Sequence, residues 1–393
     1  MNKNVFLLAC CQGLMTTGNI LLVTISALVG QKLSASDTLI TLPIATQMLG
    51  LLLATVPASL VMAKTGRKLG FSMGNLIGTS GAILGYMALV NSQFYLFCLA
   101  TFLIGIGIGF ATLYRFAAIE VSDKPARAIS MIMASGVIAA VLGPNLAVWV
   151  NHYLPEVNFA NSFLALTCVY LIALTLLQLV TFNEVSGQQS QLHQRPIKRI
   201  VSQPQFMIAA FIGMISYSVM NLLMTATPLA MHRHGFDLAE SALVIEWHVL
   251  GMFLPSFFTG KLVEQYTPVV MVIVGCLLML GCAIINLLGL SHWHFLVALF
   301  LLGVGWNFMF ISATSMVSET YQPHERAKAQ AANEFFVFSM VVLSSLFAGW
   351  LESKIGWQAL NIWSIPIVTL ALLGSAWFKQ YSPPSPAVSK LSR

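Results

Sequence analysis

Twelve apolar stretches separated by short polar breaks run along this chain, at approximately 4–30, 36–63, 69–91, 93–120, 127–152, 160–183, 205–231, 238–263, 268–290, 292–318, 326–352 and 357–379. A helix of about 20 apolar residues crosses the hydrocarbon core of a bilayer, so each stretch predicts one membrane span. The longest polar break, Asn183 to Gln205, is rich in Gln and Ser, basic at its end, and follows the sixth stretch. It predicts a six-helix bundle over 1–183, a linker over 184–204 and a second bundle over 205–380. The remaining 381–393, beginning Tyr-Ser-Pro-Pro-Ser-Pro, reads as a disordered tail. The other breaks are short, which forces antiparallel neighbours.

The two halves repeat each other. One segment begins Phe-Leu-Ile-Gly-Ile-Gly at Phe102, and another begins Phe-Leu-Leu-Gly-Val-Gly at Phe300. Each continues as an apolar helix and closes on a Glu followed seven residues later by an Arg, Glu120 with Arg127 and Glu319 with Arg326. Asn19 and Thr24 in the first span match Asn221 and Thr225 in the seventh. Asp37, Gln47 and Pro57 in the second match Asp237, His248 and Pro255 in the eighth. A chain that repeats once over its length in hydrophobic helices reads as a two-fold transporter rather than an enzyme. The fold class is therefore an all-α membrane protein of twelve spans in two pseudo-symmetric six-helix bundles.

Composition agrees: 58% of the 393 residues are hydrophobic, 8% are charged, and the mean hydropathy is +0.83. Soluble domains carry roughly 25% charged residues. The basic residues also fix an orientation. With the N-terminus inside, sixteen of the nineteen Lys and Arg residues fall on the cytoplasmic side, and only Lys32, Arg233 and Lys354 fall outside. Both termini are thus expected in the cytoplasm, with the chain in the inner (plasma) membrane. The net charge of +6 reflects this bias, not a nucleic-acid surface. The six cysteines lie in predicted spans without CxxC spacing, and no metal site or cofactor is expected. The first stretch is too long for a signal peptide and is read as the first span.

This pattern resembles the major facilitator superfamily over essentially the whole chain. Between its second and third spans the superfamily carries Gly-x-x-x-Asp-Arg-x-Gly-Arg-Arg/Lys. Here Ser59 and Ala63 replace the Gly and Asp, while Gly66, Arg67 and Lys68 are present. The second half has Gly260 and Glu264 at those two positions but lacks the later Gly-Arg. The Glu-x6-Arg spacing is similar to that of sugar porters, in which it forms cytoplasmic salt bridges that break as the inward gate opens. The resemblance thus implies a cytoplasmic gate of Arg67, Glu120, Arg127, Glu264, Glu319 and Arg326; alternatively these charges only mark the membrane edge. Gly143-Pro144 in the fifth span, with Gly136, Ala139, Ala140 and Ala147, resembles part of the antiporter signature of drug exporters, or serves close helix packing. The Gly105, Gly107 and Gly109 run follows no strand and reads as a packing face, not a nucleotide loop.

Three ionisable groups other than histidine sit well inside predicted spans: Arg115, Glu246 and Glu334. A charge at mid-bilayer costs at least about 2.5–3.5 kcal/mol, which makes each a functional candidate. Glu334 lies about 12 Å into the eleventh span. The resemblance places the eighth and eleventh spans along the central path, so Glu334 and Glu246 become candidate proton carriers, the alternative being hydrogen bonds between helices. His248, a further proton-relay candidate, stands about 200° around the helix from Glu246. Arg115 is about 140° around from Glu120. It either holds an anionic group in a cavity, pairs with Glu334, or reaches to the cytoplasmic surface. Gln12, Asn19, Gln47, Asn145, Tyr217, Asn221, Trp306, Asn307 and Asn333 are neutral candidates for a cavity that stacks on and hydrogen-bonds a mid-sized organic solute. Asn and Gln also join helices.

The reading is a monomeric secondary transporter that rocks its halves by alternating access, driven by protons. Export of a small organic solute stands first, and uptake of a metabolite or vitamin-like nutrient second. A non-transporting membrane sensor or enzyme is the rival class. The expected partners are a small-molecule substrate, protons and the lipid bilayer.

Overall fold

The computed structural model describes residues 3–121, 131–132, 134–153, 159–182, 195–322 and 325–381. Arg127, the first part of the expected linker and the tail from 382 lie outside the described residues, as do the side chains of Glu120 and Arg326. The helices of the first half are α1 (Lys3–Leu33), α2 (Leu42–Thr65), α3 (Arg67–Val90), α4 (Phe94–Ala111), α5 (Tyr114–Glu120), α6 (Gly136–Tyr153) and α7 (Ala160–Gln178). The short α8 (Ile197–Val201) precedes α9 (Pro204–Arg233), α10 (Leu238–Phe253), α11 (Ser256–Tyr266), α12 (Pro268–Leu288), α13 (His292–Ser318) and α14 (Arg326–Tyr381). Among the described residues nine helices are long and apolar enough to cross a membrane, or ten with α10 and α11 taken together. In that count α14 is a single helix, although Gly356 (φ 79°) divides it into two arms.

Four predicted spans differ from the regular helices that the hydrophobic pattern suggests. The fourth is broken at Thr112–Leu113, where the Leu113 N–H bonds the Phe110 carbonyl in a tightened turn before α5. The eighth bends by 43° between α10 and α11. Pro255 sits at that bend without an N–H to donate, so the helix ladder is interrupted there. The eleventh and twelfth are the two arms of α14.

The sequence repeat recurs as a packing repeat. A Cβ on Gly105 would collide with the Gln47 carbonyl, and one on Gly303 would collide with the His248 carbonyl. Reciprocally, Gly50 abuts the Phe102 carbonyl and Gly251 the Phe300 carbonyl. Small residues therefore bring α4 against α2, and α13 against α10, backbone to backbone. The Phe-Leu-x-Gly-x-Gly repeat is the sequence trace of this contact. Gly143 likewise lies against Ile20 and Leu21 of α1, so this part of the fifth span carries close packing.

One core is built from residues between Val5 and Val180. The other is built from residues between Ile200 and Phe378, joined by Ile20, Val23, Ala139 and Ala140 of the first half. At the end that carries α8, called the linker end, Lys68 donates to the Gln178 carbonyl at 2.7 Å and Asn4 to the Thr181 carbonyl at 2.9 Å. At the opposite end the halves touch directly. Ala27, Ile40 and Leu229 cluster there. Thr41 Oγ1 donates to the Leu346 carbonyl at 3.1 Å and accepts from the Gly349 N–H at 3.2 Å.

Candidate functional site

Between the halves, α9, α13 and α14 gather four aromatic rings. Tyr217 packs edge-on against Trp306 and Phe310, with centroids 5.3 Å away in each case, and tilted against Phe338 at 5.5 Å. Trp306 and Phe310 stack at 5.2 Å with 10° between planes. Trp306 and Phe310 are four residues apart on α13, which puts them on one helix face. Across from them, Ile44 and Met48 of α2 form a buried cluster with Val337 and Val341, against which Tyr217, Phe310 and Phe338 pack. The aromatic group therefore belongs to the seam between the halves.

Beside Met48, the fully buried Gln47 donates from Nε2 to Asn19 Oδ1 at 2.5 Å. The Gln47 Oε1 and the Trp306 Nε1 are buried and find no hydrogen-bond partner among the described residues. An unmatched acceptor and an unmatched donor in low dielectric carry a desolvation cost that a polar ligand would relieve. Asn19 and Tyr217 remain partly exposed. Glycine contacts on α4 hold the backbone at Gln47, so its side chain leaves a fixed point.

Among the described residues, two side-chain-to-side-chain polar links cross the seam within the spans. Asn145 Nδ2 on α6 donates to Glu246 Oε2 on α10 at 2.7 Å. Arg115 Nη2 on α5 lies 2.8 Å from Glu334 Oε1 on α14, with side-chain exposures of 38% and 28%. The turn at Thr112–Leu113 starts a new helix just before Arg115. Asn333, nearly buried, precedes Glu334.

Other candidates take part in joining helices. Asn307 Nδ2 donates to the Met252 carbonyl and to Ser256 Oγ, each at 2.7 Å, and its Oδ1 accepts from Thr259 at 2.6 Å. It thereby satisfies a carbonyl at the α10–α11 bend. Asn221 Nδ2 bonds Ser344 and Ser345 at 2.9 and 2.7 Å, linking α9 to α14. His248 is fully buried, its Nδ1 bonded to the Leu299 carbonyl at 2.6 Å. Gln12 donates to Thr16, one turn along α1, at 3.2 Å. Of the gate candidates, Glu264 and Glu319 are exposed and Arg67 is half-buried, with Nη1 3.7 Å from Met62 Sδ.

Two ion pairs escape any reading of the apolar pattern. Arg195 grips Glu325 at the linker end by Nε to Oε1 and Nη2 to Oε2, both 2.6 Å. Arg233 Nη1 lies 3.2 Å from Glu352 Oε2 at the opposite end. The partners are more than a hundred positions apart, and no local spacing signals them.

The model of the Major Facilitator Superfamily matches this chain over residues 5–338 and 209–393. The riboflavin transporter RfnT of Brucella anthropi is 39% identical over 375 residues, 94% of each chain. Two uncharacterized MFS-type transporters of Bacillus subtilis also align: YddS at 28% over 372 residues, 89% of this chain and 84% of its own, and YdeG at 27% over 360 residues, 86% and 83%. The repeated, backbone-close helices, the polar links across the seam and the full-length family match converge: the chain belongs to the major facilitator superfamily and is a multi-pass membrane transporter of that fold.

Proposed function

We propose that this transporter moves riboflavin, or a flavin of the same ring system, inward with protons. The observation that carries the reading is the aromatic group of Tyr217, Trp306, Phe310 and Phe338 at the seam, with the unmatched Trp306 Nε1 within it and the unmatched Gln47 Oε1 one position from Met48 on α2. A flavin is a flat tricyclic ring with a polar edge that both donates and accepts, and a polyhydroxyl tail. Rings stack on the flat system, and amide and indole groups match the edge and tail. The similarity to a riboflavin transporter over 94% of the chain supports the same class. A nutrient of this kind favours uptake over the export that the partial signature in the fifth span (α6) would imply, since Gly143 carries helix packing.

Glu334 is the first candidate for the proton site and Glu246 the second. Each carboxyl is partly exposed and each is bound across the seam, so adding a proton alters a link between the halves. The protein works as a monomer in the inner membrane with both termini in the cytoplasm, and Arg67, Glu120, Arg127, Glu264, Glu319 and Arg326 close the cytoplasmic gate.

Thermal stabilisation of the detergent-purified protein tests the substrate class. The panel contains riboflavin, other vitamins, amino acids, organic acids and lipophilic cations. Riboflavin should raise the melting temperature where the others do not. Stabilisation by several unrelated lipophilic cations instead would return the reading to export.

A further inference from the structure

We infer that an anionic phospholipid binds on the outer face of the second half, its acyl chain in a groove between α9 and α14 and its head group against Lys198 and Arg199. This inference is independent of the flavin reading. The groove encloses about 690 Å³, and Met207, Phe211, Met214, Phe336, Gly374 and Trp377 line most of it. Such a volume falls within the range of about 300–1,000 Å³ that holds small organic ligands. Met207, Phe336 and Trp377 remain 60%, 40% and 46% exposed, so the groove opens outward to the membrane rather than into the seam.

Gly374 explains why the groove exists. A Cβ there would meet only Ile208 Cγ2 at 3.8 Å and Ile212 Cγ1 at 4.0 Å, which is ordinary contact. The glycine is not needed for a close helix approach, unlike Gly105 or Gly303. What its missing side chain leaves is an open floor. From Phe206 to Met214 the groove follows α9 for about 12 Å, close to the depth of one leaflet of a hydrocarbon core about 30 Å thick.

Charge selects the head group. Val201 and Ser202 line the mouth of the groove, and Lys198 and Arg199 stand exposed within one turn of them on α8. The clamp of Arg195 on Glu325 and the bond from Gln203 Nε2 to the Thr320 carbonyl at 3.1 Å hold α8 in place from both sides. Two exposed cations within a turn of Val201 and Ser202, with an apolar trough beyond, match an amphiphile with an anionic head and an acyl tail. Trp377 at the mouth suits the membrane interface.

Native mass spectrometry of the full chain, released from detergent with equal amounts of dioleoyl phosphatidylglycerol and dioleoyl phosphatidylcholine, tests the inference. The wild-type chain should retain phosphatidylglycerol at about fivefold excess for each basic residue engaged. The double variant K198Q/R199Q should lose that excess, and Gly374→Leu should lose bound lipid of both kinds. Met207→Trp, which narrows the groove from its exposed side, gives the same test if Gly374→Leu fails to fold. Equal retention of the two lipids, an excess that survives K198Q/R199Q, or a dimer that displaces lipid from the groove would overturn it.

Discussion

Arg115 on α5 and Glu334 on α14 meet at 2.8 Å within the membrane-spanning part of the protein, one from each half. Both side chains keep about a third of their exposure, so the pair is not fully buried in protein and escapes the heaviest desolvation cost of a buried ion pair. A proton on Glu334 cancels its charge and loosens the link. Glu334→Gln mimics that state permanently. It should cut accumulation driven by a pH gradient at least about tenfold while leaving substrate exchange across the membrane within about twofold. Unchanged accumulation in proteoliposomes would remove Glu334 from the coupling step.

Tyr217 touches three rings, and ring contact, not its hydroxyl, is its assigned contribution. Tyr217→Phe should therefore keep the KM for riboflavin within about twofold, while Tyr217→Ala should raise it about tenfold, in line with about 0.5–1.5 kcal/mol for each aromatic contact. Initial uptake rates over a range of riboflavin concentrations check this. Equal KM values for both variants would move the substrate away from this group.

At the linker end, the Arg195 guanidinium holds the Glu325 carboxyl down at about 2, well below its ordinary 4.5, with help from the Gln322 and Arg195 N–H groups. A carboxyl depressed in the folded state adds stability that is complete above its unfolded value and fades as pH falls toward its folded value. The melting temperature of the wild type should exceed that of Glu325→Gln by a constant amount between about pH 8 and pH 5.5, and the gap should narrow below about pH 4.5. A gap that varied across the upper range would show that another group controls this clamp.

The junctions α2–α3 and α11–α12 share one backbone conformation but not one residue. Gly66 has φ 86° and ψ 159°, and Thr267 has φ 79° and ψ 151°. A β-branched residue in this region is strained by roughly 1–3 kcal/mol. Glycine gives back roughly 0.5–1 kcal/mol through its freer unfolded chain. Thr267→Gly should thus stabilise the protein by about 1 kcal/mol net, and Gly66→Thr should destabilise it. Thermal melts of the two variants in one detergent read both signs.

The first half's Gly66-Arg67-Lys68 and its absence from the second half were visible in the chain, but the strain at Thr267 was not, because sequence shows which residue changed and not the φ it must adopt. The same division runs through the whole protein. Apolar run length and the Phe-Leu-x-Gly-x-Gly repeat expose the spans and the two-fold packing, since both are local properties of the chain. Pro255 was visible within the eighth span, but neither the bend there nor its repair by Asn307 was read from the sequence. That side chain bonds the Met252 carbonyl 55 residues away, a contact that only the fold creates. Gln47 and Asn19 were legible as polar groups in apolar helices, whereas their bond at 2.5 Å depends on α4 glycines that fix the α2 backbone. The Arg195–Glu325 and Arg233–Glu352 pairs left no trace in spacing at all.

The most direct test is uptake of labelled riboflavin by the purified protein in liposomes, measured with and without an acid-outside pH gradient. Riboflavin should accumulate above equilibrium with the gradient, lose that accumulation on adding a protonophore, and exchange without accumulating when no gradient is present. Accumulation indifferent to the gradient would contradict the proton coupling, and no entry of riboflavin under either condition would contradict the substrate itself.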